Sequence, residues 1–180
     1  MIKIINNVIS LPDSFHLYEG LLKTNMWSMG MSSDLKMGGK FPGVNLIRDG
    51  EVVCNQTYWI GYLNCLFDTI NQKLYEQHKF LLKRNIDRLL INAQNQNHYT
   101  EFHADTDKSS TYSVIGFLTP QWSEDWGGEL VIEGETIQYK PGDFVLFDSE
   151  MMHTSQKIKK DIPYWRMTIN YGIKNQYRRS

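Results

Sequence analysis

Only two of the 180 residues are cysteine, Cys54 and Cys65, eleven positions apart, and there is no second cysteine pair to complete a structural zinc site or a disulfide framework. Both are expected to be free core thiols. An excess of charge is lacking as well: 19 Lys and Arg stand against 20 Asp and Glu, for a formal net charge of -1. Such a balance offers no general attraction to a phosphate backbone or an anionic lipid surface. A nucleic acid is therefore not an expected partner. Long apolar runs are missing; none approaches the roughly 20 residues of a membrane span. The N-terminal MIKIINNVIS places Asn6 and Asn7 where a secretion signal would need its apolar stretch. These absences predict a soluble protein of the cytoplasm with no membrane partner. There are no repeats, low-complexity tracts or Pro/Ser-rich linkers, and this length suffices for one domain with a hydrophobic core, so a single domain over 1–180 with a single site is expected.

What the chain does have is a change of hydrophobic period near residue 86. Before it, Pro12 and Asp13 mark a helix start for DSFHLYEGLLKTN, with Phe15, Leu17, Tyr18, Leu21 and Leu22 as the apolar stripe. A longer helix is predicted from about Trp59 to Lys83, on Ile60, Leu63, Phe67, Ile70, Leu74 and Phe80. Between the two, the glycine-rich segment 28–43 has no sustained period and reads as a surface connector, with a lid as the sharper alternative. After residue 86 the segments become short and β-rich: 88–94, 99–105, 112–118, 129–132, 136–139, 143–147, 153–157 and 165–171. Turn signals separate most of them, among them Gly127-Gly128, Glu133-Gly134-Glu135 and Pro141-Gly142-Asp143. The expected fold is mainly β with flanking α: a jelly-roll core over 87–174, with 1–86 as helical support and loop.

Within the β region, FHAD places His103 and Asp105 two residues apart, so a strand would project both from one face. His153 follows the apolar FVLFD segment and supplies a third candidate ligand. Two imidazoles and one carboxylate are the facial set of non-haem iron(II), which leaves neighbouring coordination positions open. Zinc would accept the same donors. The last strand, WRMTINY, puts Arg166, Thr168 and Asn170 on one face and Trp165, Met167, Ile169 and Tyr171 on the other. With the polar face inward, the Arg166 fork can meet a carboxylate in two prongs, and the Thr168 hydroxyl can donate to the same group. His16, His78 and His98 have no such partners and read as surface or packing residues. Trp122 and Trp126 read as rim packing.

From about Leu89 to Ile173 the chain resembles the 2-oxoglutarate/iron(II)-dependent dioxygenase superfamily, above all its prolyl 4-hydroxylase-like members. Four elements carry the resemblance: His103-Ala104-Asp105, Trp126-Gly127-Gly128-Glu129-Leu130, the Pro141-Gly142-Asp143 turn leading to His153, and Arg166-Met167-Thr168. It implies a double-stranded β-helix core, with iron(II) on His103, Asp105 and His153. It also implies 2-oxoglutarate as co-substrate with its far carboxylate on Arg166, and ascorbate as an accessory reductant. The reaction implied is hydroxylation of a small-molecule or peptide substrate, such as a peptidyl proline or a free amino acid. Two departures stand out. Arg166 follows His153 by thirteen residues, a longer gap than usual, which brings Lys157, Lys159 and Lys160 into view as substitutes. Where relatives carry Asn-X-Tyr with the hydroxyl on the co-substrate, this chain reads Asn92-Ala93-Gln94, so Gln94 or Tyr99 would fill that place, Tyr99 sharing parity with His103 on an unbroken strand. The alternative function is a cupin-like or inactive jelly-roll protein that holds a metal without oxygen chemistry; such a protein has no need for Arg166 facing the metal.

Overall fold

Ser10 stops the first loop and starts the first helix, its hydroxyl accepting from the Asp13 amide at 3.3 Å, with Pro12 in the opening turn. The computed structural model describes residues 1–31, 41–98, 100–106 and 111–174. In chain order the elements are β1 (Ile2–Ile5), α1 (Leu11–Leu22), β2 (Ser28–Met31), β3 (Phe41–Arg48), β4 (Glu51–Val52), α2 (Thr57–His78) and β5 (Ile86–Gln94). There follow β6 (Thr111–Phe117), β7 (Leu130–Ile132), β8 (Glu135–Ile137), β9 (Phe144–Asp148), β10 (His153–Ser155) and β11 (Arg166–Lys174). No described helix is long and apolar enough to cross a membrane.

The strands form two antiparallel sheets. The larger runs β1-β9-β6-β11-β5-β3-β2, with β4 beside β3; the smaller runs β10-β7-β8. The jelly-roll core expected from the turn-separated short strands, a double-stranded β-helix as the resemblance implies, is present. Alternation on the large sheet sorts its two faces. Leu89, Ile91, Val114, Leu146, Met167, Ile169 and Tyr171 pack under the helices, where Leu17, Leu21, Leu63, Phe67, Ile70 and Leu74 meet them in one buried cluster. On the other face, Ile115, Phe117, Val145 and Phe147 pack against Leu130, Ile132, Ile137 and Tyr139 of the smaller sheet. The helices therefore cover one outer face, as the pattern predicts.

Two expectations need correction. Residues 1–86 are more than helical support: β1 pairs with β9 (Ile2↔Phe147) and β3 pairs with β5 (Val44↔Ile91), so the first half adds four strands to the same sheet. Residues 100–105 do not form the strand expected over 99–105 either. Of them only His103 makes a β contact, an isolated bridge to His153, because loop bonds such as His98 N–H to Asn95 O shape the approach. Cys54 and Cys65 are free, as expected, though Cys65 is exposed rather than in the core.

Candidate active site

The bridge between His103 and His153 organises the site. Each backbone N–H donates to the other's carbonyl, at 3.0 and 2.9 Å, and the two rings lie 4.4 Å apart. Asp105 is drawn to the same spot by its amide, which donates to Ser149 O at 3.0 Å, and by the Ser113 hydroxyl, which donates to its Oδ2. One donor atom from each of His103, Asp105 and His153 lies within 4.8 Å of the other two, close enough for one ion to meet all three.

The tautomers suit a cation. His103 Nδ1 sits 2.8 Å from Glu101 O and His153 Nδ1 sits 3.0 Å from Met151 O. A carbonyl can only accept, so both Nδ1 atoms carry the proton and both Nε2 lone pairs are left for a metal. Burial lowers the pKa of His153 below the usual imidazole value, against the pull of Asp105, which keeps the ring neutral and competent to bind. Burial also works against ionisation of Asp105, but Arg88, His153 and Ser113 together outweigh it and hold the carboxyl below its ordinary value. A donor set of two imidazole nitrogens and one carboxylate oxygen fits iron(II).

From these three residues a cavity of about 240 Å³ runs along the inner face of β5 and β11. Asn92, Gln94, Thr168 and Asn170 line it, and Arg166 lies at its far end. Arg166 is 3% exposed. Its Nε donates to Gly128 O at 2.8 Å, its Nη1 donates to Gln94 Oε1 at 3.0 Å, and its fork lies 5.2 Å over the Tyr139 ring. Tyr139 is a neutral platform, its phenol pushed up to about 12 by burial. Among the described residues Arg166 makes no ion pair; Glu129, the carboxylate it feels, is turned to Lys159 at 3.6 Å. Burial lowers the guanidinium to about 10, so it stays charged at neutral pH. A buried cation without a counter-ion is costly, and a ligand carboxylate answers it. The residues thus fit 2-oxoglutarate as well as iron.

Lys159 and Lys160 do not compete for this role, because they are exposed and paired with Glu129 and Asp125. Gly127 and Gly128 are more than a turn. At Gly128, with φ +76°, an added Cβ would lie 3.0 Å from Arg166 Cδ and 3.0 Å from Trp122, so glycine lets the backbone come close enough to accept from the guanidinium. Trp122 packs on Trp126 and Tyr139, as rim packing requires. His78 bonds Ile4 O, and His98 accepts from the Asn95 amide and stacks on Trp165, so both serve packing. Tyr99 lies outside the described residues, as does most of the 28–43 segment considered as a lid. Gln94 is in place, with Oε1 taken by Arg166 and, at 3.3 Å, by Ser155.

One residue escaped the sequence reading. Arg88, on the same face of β5 as Asn92 and Gln94, places Nη2 2.6 Å from Asp105 Oδ1. Its parity with Gln94 gave its face on β5, but nothing local in the sequence gave the contact with Asp105.

Comparison with known proteins follows the same lines. Residues 89–172 match the family model of the 2OG-Fe(II) oxygenase superfamily. No curated protein sequence matches. Among solved structures, a 2OG-Fe(II) oxygenase family oxidoreductase from Burkholderia pseudomallei superposes with a TM-score of 0.73 at 15% identity, over 97% of this chain and 85% of that one. A Pseudomonas putida prolyl-4-hydroxylase gives 0.62 at 13% identity, over 97% and 93%. The viral collagen prolyl hydroxylase of Paramecium bursaria Chlorella virus-1, in its 2OG complex, gives 0.64 at 14% identity, over 96% of each chain. At such identities these structures share the fold with this chain.

Proposed function

We propose that this protein, whose residues 89–172 match the 2OG-Fe(II) oxygenase family model, couples oxidative decarboxylation of 2-oxoglutarate to hydroxylation of a small-molecule or peptide substrate. The observation that carries the reading is the pairing across one cavity of the His103, Asp105 and His153 donor set with buried Arg166, which makes no ion pair among the described residues. His103 and His153 would hold iron(II) through Nε2 and Asp105 through a carboxylate oxygen. Arg166, braced by Gln94 and Gly128, would hold the far carboxylate of 2-oxoglutarate, with the Thr168 hydroxyl beside it. Bound iron supplies the oxygen chemistry: substrate C–H, 2-oxoglutarate and dioxygen become substrate C–OH, succinate and carbon dioxide. The protein's part is to orient the co-substrate along β5 and β11, hold each imidazole by its Nδ1 so that Nε2 faces the metal, and exclude bulk water. The test is conversion of 2-oxoglutarate to succinate that requires both iron(II) and dioxygen. Asp105→Ala should abolish iron binding and turnover while keeping the fold; a variant that still binds iron with wild-type stoichiometry would remove Asp105 from the donor set.

A further inference from the structure

Among the described residues two cations line the main cavity, Arg166 and Arg88, and only Arg166 has a task in the reading above. Arg88 stands across the β5–β11 ladder from Gly172. A Cβ at position 172 would lie 3.1 Å from Arg88 Cβ and 3.5 Å from its Nε, so glycine leaves the lane along which the guanidinium reaches Asp105. It meets Oδ1, while the other oxygen, Oδ2, lies 3.9 Å from His153 Nε2. Asp105 can thus answer a metal with one oxygen and Arg88 with the other, but its single negative charge cannot balance both.

The surroundings leave that imbalance in place. A second cavity of about 420 Å³ shares Arg88, Leu90 and Asp105 with the first. Its remaining charges cancel: Arg48 and Lys174 face Asp49 and Asp87, and Lys174 is paired with Asp87. In the main cavity two arginines face one carboxylate. Iron(II) and doubly negative 2-oxoglutarate cancel each other. One positive charge is left over, and it sits at Arg88, because Arg166 takes the far carboxylate of the co-substrate. Of the cavity's buried atoms without hydrogen-bond partners among the described residues, the two nearest that charge along the ladder are Arg88 Nε, a donor, and Asn170 Oδ1, an acceptor, two rungs apart. A carboxylate satisfies the first, and a neighbouring hydroxyl or N–H satisfies the second.

Resting on the iron and 2-oxoglutarate reading, we propose that the prime substrate is a small monoanionic carboxylate, of the 2-hydroxy acid or N-acyl amino acid type, anchored on Arg88. A neutral residue inside a peptide does not meet this charge. Because Arg88 touches the carboxylate of a ligand residue, the C–H that is hydroxylated lies within a few bonds of the anchored group.

The experiment is calorimetry on the anaerobic protein loaded with iron(II) and 2-oxoglutarate. Short aliphatic acids, 2-hydroxy acids and N-acetyl amino acids are each titrated against their primary amides. At least one acid should bind about tenfold or more tighter than its amide. Arg88→Gln should lose that preference, and Arg88→Lys, which keeps the charge, should retain it. Absence of binding by every acid, equal binding of acid and amide, or an unchanged preference in Arg88→Gln overturns the proposal. A peptide ending in the preferred residue that binds as tightly as the free acid would overturn the small-molecule assignment and move the carboxylate to a chain terminus. Failure of the wild-type protein to bind 2-oxoglutarate at the loading step is a different result, and it removes the reading beneath.

Discussion

Strands β5 and β11 carry two faces that alternate residue by residue yet obey opposite rules. Toward the helices stand Leu89, Ile91, Met167, Ile169 and Tyr171, closed over by α1 and α2 with every large side chain matched by another. Toward the cavity stand Arg88, Asn92, Gln94, Arg166, Thr168 and Asn170, which leave a space and several polar atoms without partners. The first face supplies the free energy of folding. The second gives some of it back in exchange for a site that a charged ligand completes. The shared backbone teaches that a β-strand can separate stability from function at single-residue resolution, since neighbours in sequence point to opposite environments.

If that separation holds, substitutions on the two faces should move different observables. The largest effect on stability is expected from Tyr171→Ala. Tyr171 is fully buried and donates to Leu63 O at 2.9 Å, so its loss should cost about 3 to 5 kcal/mol in urea unfolding. The surviving folded protein should bind iron as before. On the cavity face, Arg166→Met should do the reverse. The thermal midpoint of the apo-protein should stay level or rise, because an uncompensated buried charge is gone. Affinity for 2-oxoglutarate should fall by about 2 to 5 kcal/mol, and an unchanged affinity would pass the role to another cation. Gly128→Ala sits where the comparison is sharpest. Its positive φ and the closeness of Arg166 predict a stability loss of about 1 to 3 kcal/mol together with weaker 2-oxoglutarate binding, read by calorimetry.

The smallest effect belongs to Asp143, in the turn before β9. Burial raises its carboxyl above the ordinary value, although the Asn7 amide donates to it at 2.8 Å. A raised folded-state pKa means that the folded protein holds this proton more tightly than the unfolded chain. Its stabilising contribution is therefore full below the unfolded pKa and is lost as pH rises through the folded one. Asp143→Asn should accordingly make stability less sensitive to pH across that acidic window, as measured by thermal melts from acid to neutral pH.

Much of this was legible in the sequence, for definite reasons. The alternation in WRMTINY placed Arg166, Thr168 and Asn170 on the inner face, because a strand nine residues long leaves no freedom of parity. The helices were readable from their apolar stripes, although α2 ends at His78, short of Lys83, where Lys79 adopts a left-handed conformation and closes the helix. The strands of the first half were harder. Four residues in β1 are too few for a period to show, and β3 is half hidden by Pro42 and Gly43. One cue was present: Asp49-Gly50, both with positive φ, is a hairpin turn signal between β3 and β4. Arg88 was missed because its partner, Asp105, lies seventeen residues away on a segment whose course depends on the His103–His153 bridge. No local pattern announces a contact made by a loop.

The central claim, one cavity that joins an iron site to a 2-oxoglutarate site, is tested most directly by anaerobic titration of iron(II) and 2-oxoglutarate into the apo-protein. The readout is the weak visible charge-transfer band that forms only when the keto acid chelates the metal. The account predicts a band that requires both components, is lost in His153→Ala, and is displaced to higher 2-oxoglutarate concentration in Arg166→Met. Bound metal with no band at any 2-oxoglutarate concentration would contradict it and favour a jelly roll that holds metal without oxygen chemistry.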